Sequence, residues 1–296
     1  MCDFADSSKK DGVITRKVKY SRVDVDPTKK AEVIDATMAA TLTRMIGFHA
    51  ELYCLAEVVC KNCPSQSPWD DQRSSAPKSN QDYVFPLTMI EYPIKGFTVT
   101  NPGPHAMPQG MHWDELRHVE GGELSQTLRI EREAWMLWVG VVQHWDADPH
   151  NQRIMCVKDG RDSAGNVTCD KAIIYTHDYG RSFYRNFQFT LWSLTQPMKE
   201  DENGCYSNFG KMLFNGNPGP GLVQFPHISR EARDLLVGRL EKLTDQQLVD
   251  IFQISKGEEY VKVKASDFAK VIRKKTAQMK NASCADFATG KSALGK

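Results

Sequence analysis

Three polar residues stand in an order that phosphoryl transfer can use: Asp146, Asn151 five positions on, and Asp178 at the head of Asp178-Tyr179-Gly180. Moving a phosphoryl group from a nucleotide requires a carboxylate beside the attacking hydroxyl and hard oxygen ligands for a magnesium ion bridging the phosphates. One carboxylate cannot hold Mg2+ and receive the proton at once, so separated acids are needed. Asp146 is the candidate base or orienter, and Asn151 and Asp178 are the candidate metal ligands. Each residue alone has a plain reading, with Asp146 capping a turn, Asn151 opening a hairpin and Asp178 accepting from a backbone amide. The information lies in the order: buried helix, Asp-x-x-x-x-Asn, strand pair, Asp-x-Gly, where Gly180 lets the chain turn sharply.

A nucleotide site of this kind also needs a lysine that reaches the phosphates and an acid that holds the lysine. Lys19 lies on a strand-like run, Lys17 shares its face under period two, and Glu32 and Asp35 fall in the first turns of the following helix. The plain alternative is a surface lysine and a helix-start acid near the positive end of the dipole. No GxGxxG precedes Lys19, and a short turn at Ser7 to Gly12 is the candidate phosphate cover. A rival reading takes His144, Asp146, Asp148 and His150 as a metal cluster of a hydrolase, since alternate residues of an extended segment face one side. Pro149 disturbs that alternation, and only His177-Asp178 offers a further ligand pair. His112, His118 and His227 read as surface or hydrogen-bonding residues. The triplets beginning at Asn166 and Asn281 match glycosylation acceptors, a pattern frequent by chance. The chain contains no GxSxG, P-loop or dinucleotide-binding fingerprint.

The elements that must position these groups can be read from periodicity. Val13–Tyr20 is strand-like, and Asp26-Pro27 opens a helix in which Ile34, Met38, Leu42 and Met45 repeat at helical spacing until Gly47. Strands are expected over 52–59 and, in two pieces around Pro93 and Gly96, over 83–99. Residues 64–80 and 101–110 read as loop and Pro/Gly connector. A largely buried helix covers 124–142, because Trp135, Leu137, Trp138, Val139, Val141 and Val142 crowd together. Short strands follow at 153–157 and 172–175, with a polar Gly-containing stretch between them. Ser229 caps a helix over 230–243, and Thr244 with Gln247 forms a capping box for the next, over 245–255.

Composition is ordinary for a globular chain of 296 residues, with 41% hydrophobic and 25% charged residues. The formal net charge is +1, but residues 261–296 carry nine Lys/Arg against Asp267 and Asp286, a local +7 that leaves −6 for residues 1–260. That basic end reads as a solvated helix plus tail, and no specific nucleic-acid signal accompanies it. No apolar run is long enough for a membrane span, and Met1-Cys2-Asp3-Phe4 has no signal-peptide pattern. Of eight cysteines, Cys60 and Cys63 form a CxxC, while Cys156 and Cys169 flank the polar stretch between two strands. The second pair can close a disulfide across a hairpin, which suits an oxidising compartment. All four can alternatively bind zinc.

These segments resemble a family of bacterial proteins, typical of acidobacteria and related groups, that shares the kinase-like pattern of the phosphoinositide and spore-coat kinases. The resemblance rests on RKVKY at 16–20, AEVIDATMAATLTRMIGF at 31–48, VVCKNCP at 58–64, HWDADPHNQRIMC at 144–156, HDYGRSF at 177–183 and ISREARDLLVGRLEKLTDQQLVDIF at 228–252. It implies an α+β, protein-kinase-like two-lobe fold. Residues 1–103 would be a small strand-rich N-lobe and 104–260 a mainly helical C-lobe with catalytic loop, hairpin and DYG, followed by a basic helix or tail over 261–296. It implies ATP and Mg2+ as cofactors, Lys19 at the phosphates, Glu32 then Asp35 as its partner, Asp146 as the catalytic residue, and Asn151 and Asp178 on the metal. The acceptor is an unnamed protein or small molecule, and AMP transfer or a nucleotide-binding pseudokinase are the neighbouring alternatives. Family members are often exported, to the periplasm or beyond. The chain departs from the family pattern at Ser21, Ala36 and Arg181.

Overall fold

The computed structural model describes residues 2–5, 13–20, 28–63, 81–98, 125–142, 144, 151–180, 182–184, 228–261 and 263–281. Among these the chain is mixed α and β, with six α-helices and two four-stranded sheets. In chain order the elements begin β1 (Cys2–Ala5), β2 (Val13–Tyr20), α1 (Thr28–Met45), β3 (His49–Ala50), β4 (Leu52–Cys63), β5 (Gln81–Tyr92) and β6 (Phe97–Thr98). Helix α2 (Ser125–Val141), β7 (Gln152–Arg161), β8 (Val167–Thr176) and a 3-10 turn (Ser182–Tyr184) follow. The chain then forms α3 (Arg230–Glu241), α4 (Asp245–Ile254), α5 (Gly257–Val261) and α6 (Ala265–Lys280). No helix among the described residues is long and apolar enough to cross a membrane.

The first sheet runs β1-β2-β5-β4, with every neighbouring pair antiparallel. Its inner face follows strand period two: Phe85, Leu87, Met89 and Glu91 of β5 are buried, whereas Val84 and Tyr92 are exposed. Helix α1 packs on that face through Ile34, Met38, Leu42 and Ile46, each at most 2% exposed. Met45, the expected fourth member of the stripe, points outward instead, because steps of four from Ile34 reach Ile46. Thr37, Thr41 and Thr43 donate to the carbonyls of Val33, Thr37 and Ala39, which satisfies hydroxyls inside an otherwise apolar helix face.

The second sheet runs β3-β8-β7-β6, with β3 parallel to β8 and the other pairs antiparallel. The arms β7 and β8 run well past the short strands expected from sequence. They pair as far as Arg161 and Val167, with register shifts on either side of Lys158, and the polar stretch read as loop turns only at residues 162–166. Asp162 closes that turn by accepting from the amides of Ala164 and Asn166. Gly96 lets the preceding chain lie against β7, since a Cβ there would stand 2.0 Å from the Cys156 carbonyl oxygen.

Cys156 and Cys169 form a disulfide across the hairpin, with Cα atoms 5.6 Å apart, which excludes the four-cysteine zinc site. The bond closes a loop of 13 residues' separation, so chain entropy alone predicts about 3 kcal/mol of stabilisation. Cys169→Ser is expected to lower the urea unfolding free energy by about 2–3 kcal/mol. A reductant should destabilise the native chain and leave that variant unmoved; equal sensitivity of both would contradict a structural role.

Helices α3 and α4 begin as their sequence signals require. The amide of Ala232 donates to the Ser229 hydroxyl at 3.3 Å, and Thr244 and Gln247 exchange both bonds of a capping box. Helix α6 corrects the solvated-helix expectation for the basic end. Phe268, Ile272 and Met279 are buried, and Arg273 and Lys280 pair with Asp245 and Glu241. An apolar stripe at helical spacing was present under the run of lysines, and packing followed the stripe rather than the charge.

Candidate functional site

Strand β2 places Lys17 and Lys19 on one face, and their register partners on β5 are Glu91 and Met89. From that strand the Lys19 ammonium reaches Asp178 Oδ2 at 2.5 Å, joining residues 159 apart in sequence, and lies 3.5 Å from Glu32 Oε1. Lys17 goes elsewhere, to Glu91 at 3.0 Å. The lysine's acid on α1 is therefore Glu32. Asp35, three residues further along the helix, is 1% exposed and neither carboxyl oxygen has a hydrogen-bond partner among the described residues.

Asp178 is delivered by the end of the β7–β8 hairpin. The last register pair is Gln152 with Thr176, and the next bond, from the His177 amide to the Asn151 carbonyl at 2.7 Å, extends the ladder by one step. Asn151 and Asp178 thus flank one hairpin end. Asp178 Oδ1 accepts from the Gly180 amide at 2.8 Å while Oδ2 accepts from Lys19. Burial alone would raise the Asp178 pKa, but the charge and hydrogen bond of Lys19, with the Gly180 amide, hold it below the usual carboxylate range. Burial pulls Lys19 down, and the charges of Asp178 and Glu32 outweigh it, so its pKa is raised. Lys19 and Asp178 are only 20% and 25% exposed, so their bond is worth about 1–3 kcal/mol, whereas Glu32 at 43% exposed adds little.

The chain turns at Gly180 as expected, with the Ser182 amide donating to the Tyr179 carbonyl at 3.0 Å, but without a positive φ, and the constraint on the glycine is space. A Cβ there would meet Glu32 Oε1 at 2.7 Å and Asp178 Oδ1 at 3.0 Å. A side chain at this position would have to push the Glu32 and Asp178 carboxylates away from where they face Lys19. The following turn then drives Phe183 inward. Its φ of 54° is rare for an aromatic residue, and the conformation is held by full burial, an edge contact with Phe268 and an amide bond to the Val142 carbonyl.

Behind this centre lies a polar group that sequence reasoning missed. Glu51, between β3 and β4, accepts from His177 Nδ1 at 2.9 Å through Oε1, and its Oε2 lies 3.3 Å from the Tyr53 hydroxyl. The Tyr53 hydroxyl also lies 2.6 Å from the His177 carbonyl oxygen. Burial raises Glu51 to about 7 despite hydrogen bonding from Glu91 and the charge of Lys17, and burial with Glu51's charge raises Glu91. Burial, then the charges of Arg153 and Lys17, lower His177 to about 4, so its ring is neutral and can donate from Nδ1. The ligand atoms of Glu51, Glu91 and His177 lie within 4.8 Å of one another, a span one cation can bridge. Each group is nevertheless engaged, Glu51 by His177 and Tyr53 and Glu91 by Lys17. One signal for this cluster was available: Glu91 falls in phase with the buried Phe85, Leu87 and Met89, and an acid at a core position of a strand calls for partners.

Of the rival hydrolase cluster, His144 is fully buried, tilted against Tyr179 with ring centres 5.2 Å apart and Nδ1 3.4 Å from the Ser182 hydroxyl. Asp146, Asp148 and His150 lie outside the described residues, as do Ser7 to Gly12. The structure therefore brings Lys19, Glu32, Asp178 and the Asn151 backbone together, leaves Lys17 one step away on Glu91, and separates Asp35 from the lysine.

Asp35 yields a prediction of its own. Burial, then the charge of Glu32, push its pKa well above the usual value, so the folded chain holds a proton that the unfolded chain releases above about pH 4. Stability from this group is complete at low pH and is lost as pH rises toward the folded pKa. Asp35→Asn, which mimics the protonated form, should match the native chain near pH 3.5 and exceed it by about 1–3 kcal/mol at pH 8 in urea unfolding. A difference that stays constant with pH would mean that Asp35 is ionised in the fold.

Compared with known proteins, the chain matches no family model and no curated sequence.

Proposed function

We propose that this chain is a kinase-like phosphotransferase that uses ATP and Mg2+, built on a two-lobe arrangement in which the first sheet and α1 face the β7–β8 hairpin. The single observation that carries the reading is the meeting of Lys19 from a strand, Glu32 from the next helix and Asp178 from a DYG after a hairpin, at 3.5 and 2.5 Å from the lysine nitrogen. A cation-and-carboxylate pair of this kind is neutral when empty. With nucleotide bound, the carboxylate can turn to the metal and the ammonium to the phosphates, so the charges needed for the ligand are already stored as a pair.

The residues available suit the group. Asp178, kept ionised, and Asn151 supply the hard oxygen ligands Mg2+ prefers, and Lys19 is a point charge for phosphate oxygens. Bound Mg2+ would neutralise charge on the transferring phosphoryl group. Asp146 is assigned the acceptor hydroxyl from its place in the sequence. The acceptor is a hydroxyl of a protein or small molecule.

The test is thermal stability with ATP in the presence and absence of Mg2+, followed by transfer of labelled γ-phosphate to the chain itself or to water. A stabilisation that requires both ligands supports the site, and measurable transfer supports the enzyme. Binding without transfer would make the chain a pseudokinase, and no Mg2+-dependent stabilisation of a folded sample would remove the nucleotide site.

A further inference from the structure

We infer that Glu51 and Tyr53 are positioning residues that set the separation of the two metal ligands by clamping His177 between them. This inference rests on the reading of Asn151 and Asp178 as metal ligands. His177 is the residue through which those two communicate, since its amide donates to Asn151 and Asp178 is its chain neighbour. Every polar handle of His177 described by these bonds is taken. The amide is held by the Asn151 carbonyl at 2.7 Å, the carbonyl by the Tyr53 hydroxyl at 2.6 Å, and ring Nδ1 by Glu51 Oε1 at 2.9 Å.

The two clamping residues come from the chain that passes between the sheets: Glu51 links β3 to β4, and Tyr53 lies in β4 of the first sheet. Glu51 is 2% and Tyr53 5% exposed, and Tyr53 is anchored in β4 opposite Glu91 of β5. The clamp therefore ties the position of Asp178 to the sheet that carries Lys19, and it does so without either clamping residue touching the site. A free backbone at this point would let Asp178 drift relative to Asn151, and metal coordination tolerates little drift. The Tyr53 hydroxyl gives its one proton to the His177 carbonyl at 2.6 Å, and Glu51 Oε2 lies 3.3 Å from the same hydroxyl, so the two clamping residues are in contact with each other.

The experiment measures Mn2+ binding in the presence of ADP by the electron paramagnetic resonance signal of free Mn2+, for the full chain and for Tyr53→Phe, Glu51→Ala and Glu51→Gln. Tyr53→Phe keeps the buried ring and removes only the hydroxyl. Mn2+ affinity should fall about 10- to 100-fold in Tyr53→Phe and Glu51→Ala. Glu51→Gln, whose amide oxygen can still accept from Nδ1, should recover most of the loss. Thermal midpoints without metal are read in parallel: a packing role would move them and would not separate Gln from Ala in the Mn2+ titration. Unchanged Mn2+ affinity in Tyr53→Phe and Glu51→Ala, with loss in Asp178→Ala, overturns the clamp and leaves the metal site standing. Failure of the native chain to bind Mn2+ with ADP overturns both. Mn2+ kept by Asp178→Ala but lost in Glu91→Gln would assign the ion to Glu51, Glu91 and His177 and also overturn the clamp.

Discussion

Asp178→Ala is expected to abolish Mg2+-dependent stabilisation by ATP and to lower phosphoryl transfer by about 10³-fold, because it removes a metal ligand whose charge acts on the transferring group. The same change has a cost in the empty protein. It strands Lys19, 20% exposed, with Glu32 at 3.5 Å as the remaining described partner, and a poorly paired, largely buried ammonium costs about 1–3 kcal/mol. Lys19→Met should cost a similar amount by stranding Asp178 instead. The double variant Lys19→Met with Asp178→Ala should lose less than the two added together, since it removes the pair rather than breaking it. Glu32→Gln should barely change the empty protein, as that carboxylate is 43% exposed, yet weaken ATP binding once the lysine must leave Asp178. Wild-type transfer by Asp178→Ala, or additive losses in the double variant, would detach Asp178 from the chemistry or from Lys19 respectively. Urea unfolding gives the stabilities and labelled ATP the transfer.

How far this centre could be read from sequence depended on whether a residue's partner was local. Strand β2 matched its expected bounds, and both capping motifs were found as expected, because each is decided within a few residues of chain. The resemblance ranked Glu32 before Asp35 as the partner of Lys19, and in the structure Glu32 is the helix acid beside the lysine, for a reason that the spacing did not contain. Asp35 turns into the core beside residues such as Ile34 and Met38, while Glu32 sits at the half-exposed helix start. The clamp was illegible, since Glu51 with Tyr53, Glu91 and His177 belong to three segments that only the two sheets bring together. The length of the β7–β8 hairpin was missed for a different reason. A polar, Gly-containing stretch reads as loop by composition, yet alternate residues of a solvated two-stranded arm carry no apolar face to announce it. Gly180 shows the limit most clearly. A glycine after Asp-x was noticed, but the demand on it comes from Glu32, 148 positions earlier, and not from its own dihedral angles.

Trp138→Ala is expected to be the most destabilising single substitution in the core, at about 3–5 kcal/mol. Trp138 is fully buried in the last turn of α2, and its indole Nε1 donates to Thr43 Oγ1 of α1 at 2.7 Å. Thr43 in turn donates to the Ala39 carbonyl at 2.7 Å, so the hydroxyl serves as acceptor for one helix and donor within the other. Alanine removes a large apolar surface, leaves a cavity between α1 and α2, and takes away the donor that Thr43 was accepting. Trp138→Phe separates the terms. It keeps most of the ring and loses the hydrogen bond, and so should cost about 1–2 kcal/mol. Paired with Thr43→Val it should show coupling of about 1 kcal/mol, because either change alone already breaks the bond. The effect reaches the candidate site through the helix itself. Glu32 stands at the start of α1, and this hydrogen bond ties α1 to α2 near the far end of α1, beside the helix's packing on β3, β4, β5, the 3-10 turn, α4 and α5. A loosened α1 moves Glu32 relative to Lys19, whereas Asp178 stays on its own hairpin. In Trp138→Phe the Mg2+-ATP stabilisation should therefore weaken by more than that small stability loss explains, with Glu32→Gln adding nothing further in that background. An unfolding cost below about 2 kcal/mol for Trp138→Ala, measured in urea, would show that α1 is anchored elsewhere and that this route to the site does not exist.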